Sequence, residues 1–116
     1  MSTRKFKHRV VLAVMSVKKH IDTNPCQALS NEHLASSAGI SRNILQDVFK
    51  DRYGADIGEY KLKVRMQEAR HLLRFGYSIK QIAIELHYAS PSAFTNAFKN
   101  HFNVTPSEWM NRRNAA

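Results

Sequence analysis

The chain has 116 residues, with 18 Lys+Arg against 9 Asp+Glu, a formal net charge of +9. Such a length allows one domain, or two very small lobes sharing a connector. Apolar residues at 43% and charged residues at 23% exclude a disordered or collagen-like chain, and 4 Gly with 3 Pro suit a helical one. The single cysteine, Cys26, excludes an internal disulfide and a cysteine-based zinc site, and fits a reducing cytoplasm. The charge points to a polyanionic partner without saying which.

In chain order, Arg4, Lys5, Lys7 and Arg9 precede an apolar run, Val10 to Val17, which superficially resembles a signal peptide. Lys18 and Lys19 stand where a cleavage site belongs, and Val10, Val14, Val17 and Ile21 form one stripe of an amphipathic helix. No other apolar run approaches the ~18–20 residues that cross a bilayer, so a soluble chain is expected. Helix 1 is predicted over 6–22 and is broken by Asn24-Pro25. Ser30 caps helix 2 (31–38), Gly39 turns, and Ser41 caps helix 3 (42–52). Asp56 with Glu59 opens a long helix 4 (57–75) that stops at Gly76, its buried stripe being Leu62, Met66, Ala69 and Leu73. Ser78 with Gln81 forms a capping box for helix 5 (79–87). Ser90 caps helix 6, with Pro91 at the favoured first position, and Thr105 with Glu108 opens helix 7 (106–112). Nothing alternates like a strand, so the fold is all-α.

An internal duplication organises these elements. Phe49-Lys50-x-x-Tyr53-Gly54 through Tyr60 lies on Phe98-Lys99-x-x-Phe102-Asn103 through Trp109 at a constant offset of 49 residues. Each copy ends a helix at a residue tolerant of left-handed backbone and reopens with a capping box. Upstream, Leu34-Ala35…Gly39-Ile40…Leu45…Phe49 reads as a helix-turn-helix, and Ile82-Ala83…Tyr88…Phe94…Phe98 repeats it with His87 where a turn glycine is expected. One copy alone would suit any helical hairpin. Two on a strongly basic chain favour nucleic-acid binding. Helix 4, about 19 residues and roughly 28 Å long, suits a connector between units set ~34 Å apart on one duplex face. The expected organisation is a first lobe over 1–54, a linker helix over 55–76 and a second lobe over 77–116.

With those residues in view, the chain resembles the DNA-binding domain of AraC/XylS-type transcription regulators from Val11 to Arg112. The carrying stretches are Leu34-Ala35…Gly39-Ile40-Ser41…Leu45…Phe49-Lys50, then Ile79-x-x-Ile82-Ala83…Tyr88-x-Ser90…Phe94…Phe98-Lys99 and Thr105-Pro106-Ser107-Glu108-Trp109. The resemblance implies seven helices, two helix-turn-helix lobes on a linker helix (a homeodomain-like pair), and promoter activation, often through RNA polymerase. The chain departs from the family at His87, Asn103, Met110 and Asp47, the last standing where arginine is common.

On helix 3, Ile44, Leu45, Val48 and Phe49 are assigned to the core, leaving Arg42, Asn43, Gln46, Asp47 and Lys50 outward. Arg42 suits guanine, and Asn43 or Gln46 suits adenine, each worth ~1–3 kcal/mol of discrimination. Asp47 either accepts from a cytosine amino group or caps a nearby arginine. On helix 6, Phe94, Ala97, Phe98 and Phe102 face inward, leaving Ser92, Thr95, Asn96 and Lys99, a smaller reader expected to contribute less specificity. Any single exposed polar residue is equally compatible with a solvated face.

The charge lies elsewhere. Residues 1–20 carry a net +6 and residues 61–80 a net +5, whereas Ser41 to Asp51 is neutral. Phosphate contacts are therefore assigned to Lys61, Arg65, Ser78 and Lys80, with Lys50 and Lys99 beside the readers. No two histidines stand three or four apart, and no nucleophile–base set or Gly-rich loop occurs, so no metal, cofactor or catalytic site is expected. The reading is a DNA-binding transcription regulator of the bacterial cytoplasm and nucleoid, an activator that binds double-stranded promoter DNA as a monomer. Its rivals are the same domain cut from a larger ligand-sensing regulator, and a basic module for RNA or anionic membranes. The aromatics on inward stripes argue against RNA stacking, and the apolar stripe of helix 1 is needed by the core.

Overall fold

The computed structural model describes residues 6–115, with side chains to 113, so Arg4 and Lys5 lie outside the described residues. The described residues form seven α-helices: α1 (His8–Thr23), α2 (Asn31–Ser37), α3 (Arg42–Tyr53), α4 (Ile57–Arg74), α5 (Ile79–Glu85), α6 (Pro91–Phe102) and α7 (Pro106–Ala115). No strand occurs among them. The chain divides into two compact units, 1–64 and 65–116, and the division falls within α4.

In the first unit, Val14, Val17 and Ile21 of α1, Leu34 and Ala35 of α2, and Leu45, Val48 and Phe49 of α3 close one core with Ile57. The 3.6-residue period puts these positions on single faces, and their removal from water is the main force holding three short helices together. Ala35 is small enough to let α2 and α3 approach closely. In the second unit, Met66, Ala69, Leu72 and Leu73 of α4 are buried, as are Ile82, Ala83 and Leu86 around α5 and Phe94 and Phe98 of α6. Phe98 touches Phe94, Phe102 and Trp109 edge-on or tilted, with ring centres 4.6–6.4 Å apart, so α7 is tied to α6 through aromatic contact.

Two expected core residues lie outside. Leu62 is 39% exposed and Ile44 is 41% exposed. Burial along α4 follows two stripes, one per unit: Ile57 with the half-buried Tyr60 and Val64, then Met66, Ala69 and Leu73. Leu62 keeps the register of the second stripe but stands one turn before its buried part. On α3, Leu45, Val48 and Phe49 at 0–1% exposure fill the inward face, and Ile44, one turn before Val48, lies at the edge of that face. Ala97 and Phe102 of α6 are half-buried.

A candidate nucleic-acid interface

Each unit builds a helix-turn-helix by the same local chemistry. Serine hydroxyls at the N-caps accept from the third residue's backbone N–H: Ser30 from His33 and Ser41 from Ile44, then Ser78 from Gln81 and Ser90 from Ala93. These satisfy donors that the helix itself cannot. The turns are closed by a Schellman pair of bonds. Gly39 and Ile40 donate to Ser36 and Ala35, and His87 and Tyr88 donate to Ile84 and Ala83. That closure needs left-handed backbone, and both Gly39 (φ 75°) and His87 (φ 63°) adopt it. α3 and α6 end alike, at Gly54 (φ 74°) and Asn103 (φ 65°), whose N–H groups donate to the Lys50 and Lys99 carbonyls. The Ser78–Gln81 and Thr105–Glu108 boxes close reciprocally, and the bonds from Thr105 hold the Glu108 carboxyl below its usual range. At α4, by contrast, the Asp56 carboxylate lies 3.9 Å from Lys50 Nζ. The box expected with Glu59 is not among the hydrogen bonds of the described residues.

On α3, Arg42, Asn43, Gln46, Asp47 and Lys50 are all exposed. Arg42 Nη1 lies 3.3 Å from Glu32 Oε1, an exposed ion pair that ties the first residue of α3 to the first turn of α2. Beside it opens a groove of about 330 Å³ lined by Ser30, Asn31, Glu32, Arg42, Gln46, Gly58 and Lys61. In the second unit Ser92, Asn96 and Lys99 of α6 are exposed, Thr95 is half-buried, and Lys80 is exposed in the first turn of α5. The Ser78 hydroxyl oxygen is occupied as the α5 cap.

Several expected phosphate ligands also hold the protein's own structure. Lys61 Nζ donates to the Leu29 carbonyl at 2.7 Å and to Asn31 Oδ1 at 3.1 Å, so it fastens the loop entering α2. Arg65 lies over the Tyr88 ring at 5.8 Å. Arg70 covers Phe102 at 4.7 Å and Arg74 covers Trp109 at 5.3 Å. Three arginines of α4 thus set their guanidinium groups over aromatic rings in the second unit. In the first unit Lys18 pairs with Asp22 at 2.8 Å, Asp22 accepts from the Tyr60 hydroxyl, and Lys18 stands over the rings of Tyr53 and Tyr60 at 5.5 and 5.4 Å. Partial burial opposes the charge on Asp22, but bonds from Lys18 and Tyr60 hold its carboxyl below the usual range. Burial, then the bond to Asp22, pushes the Tyr60 phenol up, while bonds to Asp22 and Tyr60 raise Lys18. The i,i+4 spacing of Lys18 and Asp22 signals that pair in sequence; nothing local signals Tyr60 or the arginine–ring contacts.

No three His, Cys, Asp or Glu side chains converge among the described residues, and none of the described helices is long and apolar enough to cross a membrane. What the two units hold in common is a pair of capped short helices whose second member presents polar side chains at equivalent positions, the device of a DNA reader. A family model for a helix-turn-helix domain matches residues 34–112, and the chain belongs to this family, in its AraC type, among DNA-binding transcription regulators. It is 37% identical over 84 residues to a probable transcription factor, PqrA, of Proteus vulgaris, covering 72% of this chain and 69% of that protein. To the transcriptional regulator Rob of Salmonella typhimurium it is 37% identical over 97 residues, 78% of this chain and 32% of Rob. A crystal structure of an AraC-type transcriptional regulator from Chromobacterium violaceum matches with a TM-score of 0.75 at 32% identity, over 84% of this chain and 88% of that one. Of Rob and six other curated regulators that it matches, the chain spans 26–39% of the length.

Proposed function

We propose that the chain binds duplex promoter DNA sequence-specifically, laying α3 and α6 in successive major-groove segments. The observation that carries this reading is the repetition of one device: after a Schellman-closed turn, a serine-capped helix presents Asn43, Gln46, Asp47 and Lys50 in the first unit and Ser92, Thr95, Asn96 and Lys99 in the second. Arg42 and the amides of α3 supply two-handed base contacts, so α3 contributes more specificity than α6. Lys50, Lys80, Lys99 and Ser78 contact phosphates, joined by Lys61 and Arg65 to the extent that their internal partners allow. The 18-residue α4, ~27 Å long, joins the two units. We further propose activation through contact with RNA polymerase, which the resemblance implies, binding as a monomer, since one chain carries two helix-turn-helix units, and residence in the bacterial cytoplasm, which the single cysteine fits.

Selection of bound duplexes from a random library, followed by footprinting, tests the reading. Two protected major-groove segments on one face, within about 20 base pairs, are expected. Equal affinity for selected and random duplexes, or one protected segment, refutes it. A second reading, the same DNA-binding unit within a longer ligand-sensing regulator, is favoured by the share of its relatives that the chain spans; the genomic reading frame upstream decides it.

A further inference from the structure

Ile44 is a branched apolar side chain on a helix face otherwise made of polar and charged groups. It is 41% exposed, and it sits in the first turn of α3, one residue after Asn43 and three before Asp47. First-turn residues of a recognition helix are the ones that reach base edges. The cap fixes its place: the Ile44 backbone N–H donates to Ser41 Oγ at 3.1 Å, which holds the third helical residue in register. The second unit has the same arrangement, with Ala93 donating to Ser90 Oγ at 3.0 Å at the same offset of 49 residues. Ala93, however, is half-buried, so only α3 leaves an apolar side chain exposed at this capped position. A hydrogen-bonding side chain there would read an amino group or a carbonyl. An aliphatic one has a single feature in the major groove to recognise, the C5-methyl of thymine, which cytosine lacks.

Resting on the proposed role of α3 as a base reader, we propose that Ile44 is a specificity-determining residue that packs on a thymine methyl in the segment contacted by the first turn of α3. The contact is apolar, so it adds discrimination without adding to the salt dependence of binding. The neighbouring Asn43 sets which hydrogen-bonding edge is read, and Ile44 selects thymine at the adjoining pair.

The test uses the full chain and the duplex recovered by selection, with each thymine replaced in turn by deoxyuridine, a change that removes only the methyl. At one thymine the wild-type chain is expected to weaken roughly fourfold, the worth of one buried methyl group. Ile44→Ala, at an exposed helical position and checked for an unchanged circular dichroism spectrum, is expected to bind the parent duplex about as weakly and to ignore the same replacement. A loss of equal size in both proteins assigns the methyl to another residue and overturns the inference. So does a wild-type chain that prefers the selected duplex yet is indifferent to deoxyuridine everywhere, or a selected site without thymine. If the wild-type chain does not prefer the selected duplex over a random one, the base-reading role of α3 falls, and this inference with it.

Discussion

His87 occupies a turn that its counterpart fills with glycine, which sets up an opposed pair of substitutions. Both residues are left-handed, at φ 63° and φ 75°, and both close the same two-bond Schellman turn. For a residue with a Cβ this backbone costs roughly 1–2 kcal/mol. Replacing His87 with glycine removes that strain but gives the unfolded chain more freedom, a loss of roughly 0.5–1 kcal/mol. The net expectation for His87→Gly is a stabilisation of about 0.5–1 kcal/mol, which corresponds to a rise of about 2–5 °C in melting temperature for a chain of this size. Gly39→Ala is the mirror experiment. A Cβ built on Gly39 meets nothing within 4 Å, so its cost is conformational alone, about 1 kcal/mol in the opposite direction. Urea midpoints of the two variants, followed by helical circular dichroism, are the assay. If His87→Gly lowers the midpoint, the imidazole contributes more than the strain costs, and the turn is not interchangeable between copies.

Lys61→Met leaves the Leu29 carbonyl and the Asn31 amide oxygen without their ammonium partner. A drop of about 1–2 kcal/mol in stability to urea is expected in addition to any loss of DNA affinity. Lys80→Ala and Lys99→Ala, at exposed sites, are each expected to weaken binding to all duplexes alike and to lower the slope of log affinity against log salt by about one. Gln46→Ala is expected to change base preference and leave that slope unchanged. The Lys18–Asp22–Tyr60 cluster predicts two pH limbs. Asp22 is lowered when folded, so its contribution is present above pH ~4 and is lost as pH falls below that. Tyr60 and Lys18 are raised, so theirs is complete below pH ~10 and is lost as pH rises beyond it. Tyr60→Phe should flatten the alkaline limb of the urea midpoint and Asp22→Asn the acid one; unchanged limbs would mean that the cluster contributes nothing.

What sequence reading reached was the chemistry that is local. Ser30, Ser41, Ser78 and Ser90 satisfy N–H groups three residues away, and Gly39, Gly54 and Gly76 answer a demand of the backbone alone, so short patterns reveal them. The duplication extended that reach, because aligning the copies placed His87 and Asn103 at turn positions despite their side chains. Burial was less legible. Ile44 and Leu62 both fit an apolar period, yet which apolar residue faces a core depends on a partner helix that the period does not name. Asp56 and Glu59 have the right spacing for a reciprocal cap, yet the Asp56 carboxylate lies near Lys50. Least legible were the long-range contacts: Arg74 with Trp109, Arg70 with Phe102 and Tyr60 with Asp22 join residues that only the folded chain brings together.

Those contacts bear on what the net charge of +9 means for DNA. A basic residue strengthens non-specific binding in so far as its N–H groups reach phosphate. Lys18 is paired with Asp22 and stacked on two tyrosines, Lys61 donates to a loop, and Arg65, Arg70 and Arg74 lie on rings of the second unit. Each of these cations therefore has structural work in the free protein, and moving it onto a phosphate gives up part of that interaction. Lys80 and Lys99 are exposed; Lys99 feels the charge of Glu108, but no hydrogen bond or ring contact of either is among those of the described residues. The affinity that salt can erase should accordingly follow the lysines nearest the grooves more closely than the total charge. Base preference should follow α3, whose residues from Arg42 to Asp51 carry no net charge and whose first turn holds Asn43 and Ile44, the residues proposed to read base edges.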